Sequence, residues 1–125
     1  MPTPDELRGL IDAYVAAINS RDARAIAAKF ADGAHQADPA SNPPNIGRQA
    51  ITTFFENSIG ASESWTFTAK NVHTCAANVA INFEIEVATG GATMTIAGIE
   101  IFEANEEGRF TSVSAYWDDA DLSFG

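Results

Sequence analysis

Three side chains in this sequence can move or hold a proton and yet fall among apolar neighbours: Tyr14, Asp38 and Glu100. Glu100 is the sharpest anomaly. The stretch Ala92 to Glu103 is rich in β-branched and aromatic residues and lies between Gly90-Gly91 and Asn105-Glu106-Glu107-Gly108, which predicts a strand between two turns. Alternation puts Met94, Ile96, Gly98, Glu100 and Phe102 on one face. Either a bulge turns Glu100 out to water, or the fold keeps a carboxyl in an apolar place. Tyr14 falls within the apolar stripe of a helix, and Asp38 shares a strand face with Ala34 and Gln36. As plain structure, Tyr14 is a core tyrosine and Asp38-Pro39 a turn starter. Together the inward groups Tyr14, Gln36, Asp38 and Glu100 suggest more. All seven basic residues (Arg8, Arg21, Arg24, Lys29, Arg48, Lys70 and Arg109) fall on polar faces, helix ends or turns. A buried carboxyl therefore lacks a cationic partner, so desolvation raises its pKa, and a second carboxyl in the same pocket pushes one of the two further up. One ionised and one protonated carboxyl in an apolar cavity can pass a proton.

The elements that must position these groups are readable in order. Thr3-Pro4-Asp5-Glu6 has the form of a capping box with Pro at the first helical position. Leu7, Leu10, Ile11, Tyr14, Val15 and Ile18 follow at helical spacing. Asn19-Ser20-Arg21-Asp22 breaks this helix, and Ala23 to Phe30 predicts a second one buried through Ile26, Ala27 and Phe30. Asp32-Gly33 leads into a short strand, Ala34 to Asp38, which Pro39 ends because it supplies no N–H. His35 falls on its other face and reads as a surface residue, as does His73 near a turn. A third helix, about Arg48 to Ser58, turns Ile51, Phe54 and Phe55 inward. Strands then dominate. Trp65, Phe67 and Ala69 alternate, followed by Val79, Ile81, Phe83, Ile85 and Val87, the Glu100 strand, and Phe110 to Trp117 before a polar tail from Asp118. Helices first and a long antiparallel sheet afterwards predict an α+β fold. One curved sheet cannot bury its inner face alone, so the three helices must close it into a cone whose apolar interior suits a small molecule.

The totals narrow the function. A chain of 125 residues, 46% hydrophobic and 10% aromatic, predicts one globular domain over 1–125. No run approaches the ~20 apolar residues of a membrane span. The net charge of −10 argues against nucleic acid and anionic membranes as partners. The start carries Pro and acids without a basic or apolar signal region, which predicts a cytoplasmic protein. Cys75, the single cysteine, excludes an internal disulfide and a cysteine-rich metal site, and reads as a small core residue.

Four segments in order also resemble one family. Tyr14 in IDAYVAAINSRD, Asp38 in FADGAHQADP, Glu100 in IAGIEIFEANEEGR and the ending SVSAYWDDADLS are similar to ketosteroid isomerase (steroid Δ-isomerase), a member of the nuclear transport factor-like, or SnoaL-like, superfamily. The resemblance covers about Pro4 to Leu122. It implies the cone-shaped α+β barrel, a homodimer formed through an exposed sheet face, and no cofactor or metal. It implies catalysis by three residues. Asp38 takes a proton beside the ketone of a steroid-like substrate and returns it two carbons on, while Tyr14 and a protonated Glu100 donate to the dienolate oxygen. Ketosteroid isomerase is the standard illustration of a carboxylic acid kept neutral at pH 7 by an apolar site, so that role comes from the family. Phe30, Gln36, Phe54, Phe55, Phe83, Met94 and Trp117 would line the substrate slot. The chain departs from the family in having Glu100 for Asp, Phe30 and Phe55 where many members carry tyrosine, and Gln36 for an apolar residue. A polyketide-cyclase-like enzyme, favoured by a polar Gln36, and a non-catalytic binder of a small apolar ligand are the alternatives.

Overall fold

Capping starts the fold. The Thr3 hydroxyl accepts from the Glu6 N–H, and the Glu6 carboxylate accepts from the Thr3 N–H in return, which satisfies two otherwise unpaired helix donors. In the computed structural model, which describes residues 1–125, helix α1 then runs Pro4–Asn19 and buries Leu7, Ile11, Tyr14 and Ile18. Its last residue pins it to the sheet. The Asn19 amide donates to the Phe67 carbonyl at 3.0 Å and accepts from the Phe67 N–H at 2.7 Å. Helix α2 is a short Ala23–Ala27, capped by the Asp22 carboxylate. Phe30 is not its last residue, as the sequence predicts, but the first of strand β1, Phe30–Ala37. The Lys29 carbonyl accepts from the Phe110 N–H at 2.8 Å, which draws the chain onto a strand before the helix can continue.

A two-residue strand β2 (Asn45–Ile46) and helix α3 (Arg48–Ser58) precede three long strands, β3 (Ser64–Cys75), β4 (Asn78–Thr89) and β5 (Ala92–Ala104). Strand β6 (Phe110–Tyr116) follows. The polar tail from Asp118 carries structure not assigned from the sequence: it forms a 3₁₀ turn, Asp119–Asp121, and strand β7, Leu122–Phe124, which pairs with β5. The sheet order is β2-β1-β6-β5-β4-β3, with every neighbour antiparallel except β1 and β6. Register shifts in β1–β6, β3–β4 and β5–β6 bend the sheet, since a bulge increases local twist. The result is the three-helix, curled-sheet α+β cone that the sequence predicts.

Cys75 departs from expectation. It lies at the turn end of β3 and is exposed, not part of the core. Phe110 departs in the other direction: strict alternation with Val113 and Ala115 would put it on the opposite face, but the register shift between Glu103 and Ala104 turns it fully inward. No helix is long and apolar enough to cross a membrane.

Candidate active site

Glu100 sits in an uninterrupted antiparallel ladder, opposite Ile81 of β4 and Ala115 of β6. No bulge turns it out. Its side chain stays on the inner face with Ile96 and Phe102 and is only 4% exposed, and its Oε1 is buried without a hydrogen-bond partner. Burial, and then the nearby Asp38, push the Glu100 carboxyl well above the usual carboxylate range.

Asp38 follows β1. The parallel pairing of Ala37 with Ser114 and the bond from the Ala40 N–H to the Ala115 carbonyl at 2.6 Å hold this corner against β6. The Trp117 indole N–H donates to Asp38 Oδ1 at 2.6 Å. Burial raises the Asp38 pKa and the Trp117 hydrogen bond opposes that rise. The two carboxyls are therefore unequal. Glu100 is the deeper and the more strongly raised, so a proton shared between them resides on Glu100.

Tyr14 is fully buried in a box of phenylalanines. Its ring meets Phe102 at 5.4 Å, Phe110 at 5.3 Å, Phe30 at 6.2 Å and Phe67 at 6.4 Å, all edge-on. Such pairs each contribute about 0.5–1.5 kcal/mol beyond their buried area and fix the ring plane. Burial, then Glu100, then Asp38 hold its phenol well above its ordinary value, so it is a neutral donor.

Tyr14, Asp38 and Glu100 line one cavity, together with Phe54 and Phe55 from α3, and no basic residue shares it. Its space between atoms is about 320 Å³ with the mouth included, but the centre of a water molecule can occupy only about 30 Å³. That room suits a water or two, so aromatic walls must part to admit a ring system. The rim is formed by the half-buried Asp38, Phe54, Ser58 and Trp65.

The other residues predicted for the slot stand off the wall. Phe30 packs against Tyr14 and Phe110 behind it. Phe83 stacks on the wall residue Phe67, ring to ring at 5.7 Å, and is not itself part of the wall. Gln36 is buried, but its side-chain carbonyl accepts from the Asn45 amide at 2.8 Å, away from the cavity. Met94 is half-buried beside β7, opposite Phe124. Trp117 holds Asp38 rather than the wall. Trp65, read from the sequence only as an alternating strand residue, lines the cavity instead.

Comparison with known proteins agrees with this architecture. Residues 11–113 match the SnoaL-like domain family. A protein named Steroid Delta-isomerase from Nocardioides simplex is 27% identical over 117 residues, 94% of each chain. Among solved structures, the epoxide hydrolase/cyclase-like enzyme SalBIII, with a role in pyran ring formation in the polyether salinomycin, superposes with a TM-score of 0.92 at 20% identity over the whole of both chains. RV0760c from Mycobacterium tuberculosis gives 0.89 at 20% identity, again over the whole of both chains. Its complex with estradiol-17β-hemisuccinate gives 0.86 at 19%, over 95% of this chain and 98% of that one. At such identities the likenesses speak to the fold. The family match spans most of the chain: it belongs to the SnoaL-like domain family.

Proposed function

We propose that this chain is a cofactor-independent isomerase that moves a C=C bond from Δ5 to Δ4 in a 3-ketosteroid or a similarly flat, apolar ketone. The observation that carries the reading is Glu100: a buried carboxyl with an unpartnered oxygen, in one cavity with Asp38 and Tyr14 and without a cation. With Trp117 holding Asp38 Oδ1, the other oxygen is free to take a proton from the carbon between the ketone and the double bond. The electron pair of that C–H bond moves into a dienolate. Tyr14 and neutral Glu100 donate to its oxygen, which gains charge in a dry site where such donors act strongly. Asp38 then returns the same proton two carbons further on, so nothing is consumed. The Nocardioides relative's name and the steroid bound to RV0760c support a steroid-like ligand.

The cyclase alternative drew on a polar Gln36, whose amide is bound to Asn45 off the cavity wall. A non-catalytic binder would gain support from a Glu100 turned outward, whereas this one faces in. The test is turnover of a Δ5-3-ketosteroid, followed by absorbance of the conjugated enone. Wild type should turn over. Asp38→Asn should lose proton transfer while still binding a planar steroid phenol, since Asn keeps the shape without the basicity. Binding without turnover in wild type leaves only the binder.

The implied homodimer would use the outer face of β5 and β6, where Ile99, 45% exposed, lies in register with Tyr116, 55% exposed. Sedimentation of the wild-type protein at micromolar concentration should give twice the chain mass, and a single-chain mass overturns the dimer.

A further inference from the structure

Two buried side-chain polar atoms in this chain have no hydrogen-bond partner: Glu100 Oε1 and Trp65 Nε1. Both belong to residues that line the same cavity. The first is explained by the proton-transfer reading, and the second is not. Trp65 is half-buried, and a tryptophan at a rim normally turns its N–H to water and its carbon edge inward. Here the N–H is buried although the residue as a whole is not. A sealed, unpaired donor is costly unless something accepts from it.

Nothing at that end of the wall does so. Ser58, also on the rim, donates its hydroxyl to the Phe54 carbonyl at 2.9 Å, and the indole N–H reaches no acceptor. The register separates this donor from the acid pair. Trp65 lies opposite Val87, which faces Met94, whereas Glu100 faces Ile81. Along β5 the two rows are six residues apart, up to ~20 Å of strand before curvature shortens it. Along the strands the cavity thus carries a donor and acid cluster at one end, a lone donor toward the other, and an apolar wall of Phe55, Ile59, Phe67 and Ile85.

We propose that the Trp65 indole N–H is a second polar anchor for the ligand, and that the substrate is a rigid apolar body with an acceptor oxygen at each end. The Tyr14–Glu100 end takes the reacting ketone, and Trp65 takes the distal carbonyl or hydroxyl oxygen. This rests on the proposed ketone-binding site and narrows its substrate class. It also gives Trp65 a positioning role, since a ligand held at both ends cannot slide along an apolar slot that lacks other polar contacts.

The test compares two phenols, estrone and its 17-deoxy analogue, which differ only in the distal ketone. Wild type should bind estrone about 3–10-fold more tightly, the contribution of one neutral hydrogen bond. In Trp65→Phe, which keeps an aromatic ring and removes the N–H, that ratio should fall to about one. The ratio cancels whatever the substitution does to packing. A second readout needs no variant. The chain has two tryptophans, and the Trp65 indole proton in the wild-type spectrum should move downfield with estrone and not with the deoxy compound. An equal ratio in both proteins, or an indole proton that ignores the distal ketone, overturns the anchor and leaves the isomerase reading standing. Wild type that binds neither phenol overturns both.

Discussion

Tyr14 and Glu100 would share one oxyanion, but they reach it under different constraints. The Tyr14 ring is fixed by four phenylalanines, so its hydroxyl is aimed before substrate arrives. Glu100 is held only by its strand, and its side chain is longer than the family's Asp by one carbon–carbon bond, about 1.5 Å. A preorganised donor is worth more than one that must be bent into place. Tyr14→Phe should therefore lower kcat by roughly 10²–10³ with little change in KM, the usual loss for one oxyanion donor. Glu100→Ala should cost less than Tyr14→Phe. Steady-state kinetics on the Δ5-3-ketosteroid decide the matter, and a Tyr14→Phe enzyme with wild-type kcat reduces Tyr14 to a core residue. Asp38 is positioned from outside the cavity, by the indole of Trp117, which the family resemblance implied as a slot-lining residue.

Gly98 is the element-scale feature that lets that indole arrive. A Cβ there would lie 2.5 Å from the Tyr116 carbonyl oxygen and 3.1 Å from both the Phe83 ring and Trp117 Cβ. Glycine in a strand interior often marks such a close approach. Gly98→Ala should push the end of β6 away from β5, cost about 1–3 kcal/mol as overpacking does, and pull Trp117 from Asp38. The Trp117 hydrogen bond lowers the Asp38 pKa, so its loss should move the acid limb of the kcat/KM profile to higher pH. Loss of stability with that limb unmoved would mean that the two are not coupled. The elements themselves were legible where side-chain period and capping agree. The Thr3–Glu6 box, the α1 stripe and the inward face of β4 all follow from local spacing. So did the inward direction of Glu100, because an unbroken β4–β5 ladder preserves parity. What escaped depends on register and long-range pairing. Phe30 reads as helix until Phe110 binds the residue before it, Phe110 itself turns inward only through a bulge, and β7 exists only because β5 offers an edge. Gln36 has the right parity but the wrong environment, since Asn45 claims its amide. Trp65 could not be singled out, because whether an indole finds an acceptor is a property of the packed cone.

At the scale of the whole molecule, 17 acidic residues face seven basic ones, and most of the acids are exposed. Glu100 and Asp38 are different, because both have raised pKa values in the fold, Glu100 by far the more. Linkage fixes the sign. A carboxyl whose folded pKa lies above its unfolded value, about 4.3 for Glu, keeps a proton in the native state that the unfolded chain has released. Its contribution to stability is complete below that unfolded value and is lost as pH rises through the folded pKa. The protein should therefore lose stability as pH rises above about 4.3, over and above any effect of surface charge. Glu100→Gln removes the largest source of this loss while nearly preserving shape. Its stability relative to wild type should increase steadily with pH across that window, whatever constant offset the buried amide introduces. Asp38→Asn should do the same to a smaller degree. Urea unfolding of wild type and Glu100→Gln at a series of pH values measures the difference directly. Parallel curves would mean that Glu100 ionises as freely in the fold as in the unfolded chain, and the neutral donor at the deep end of the cavity would be lost with it.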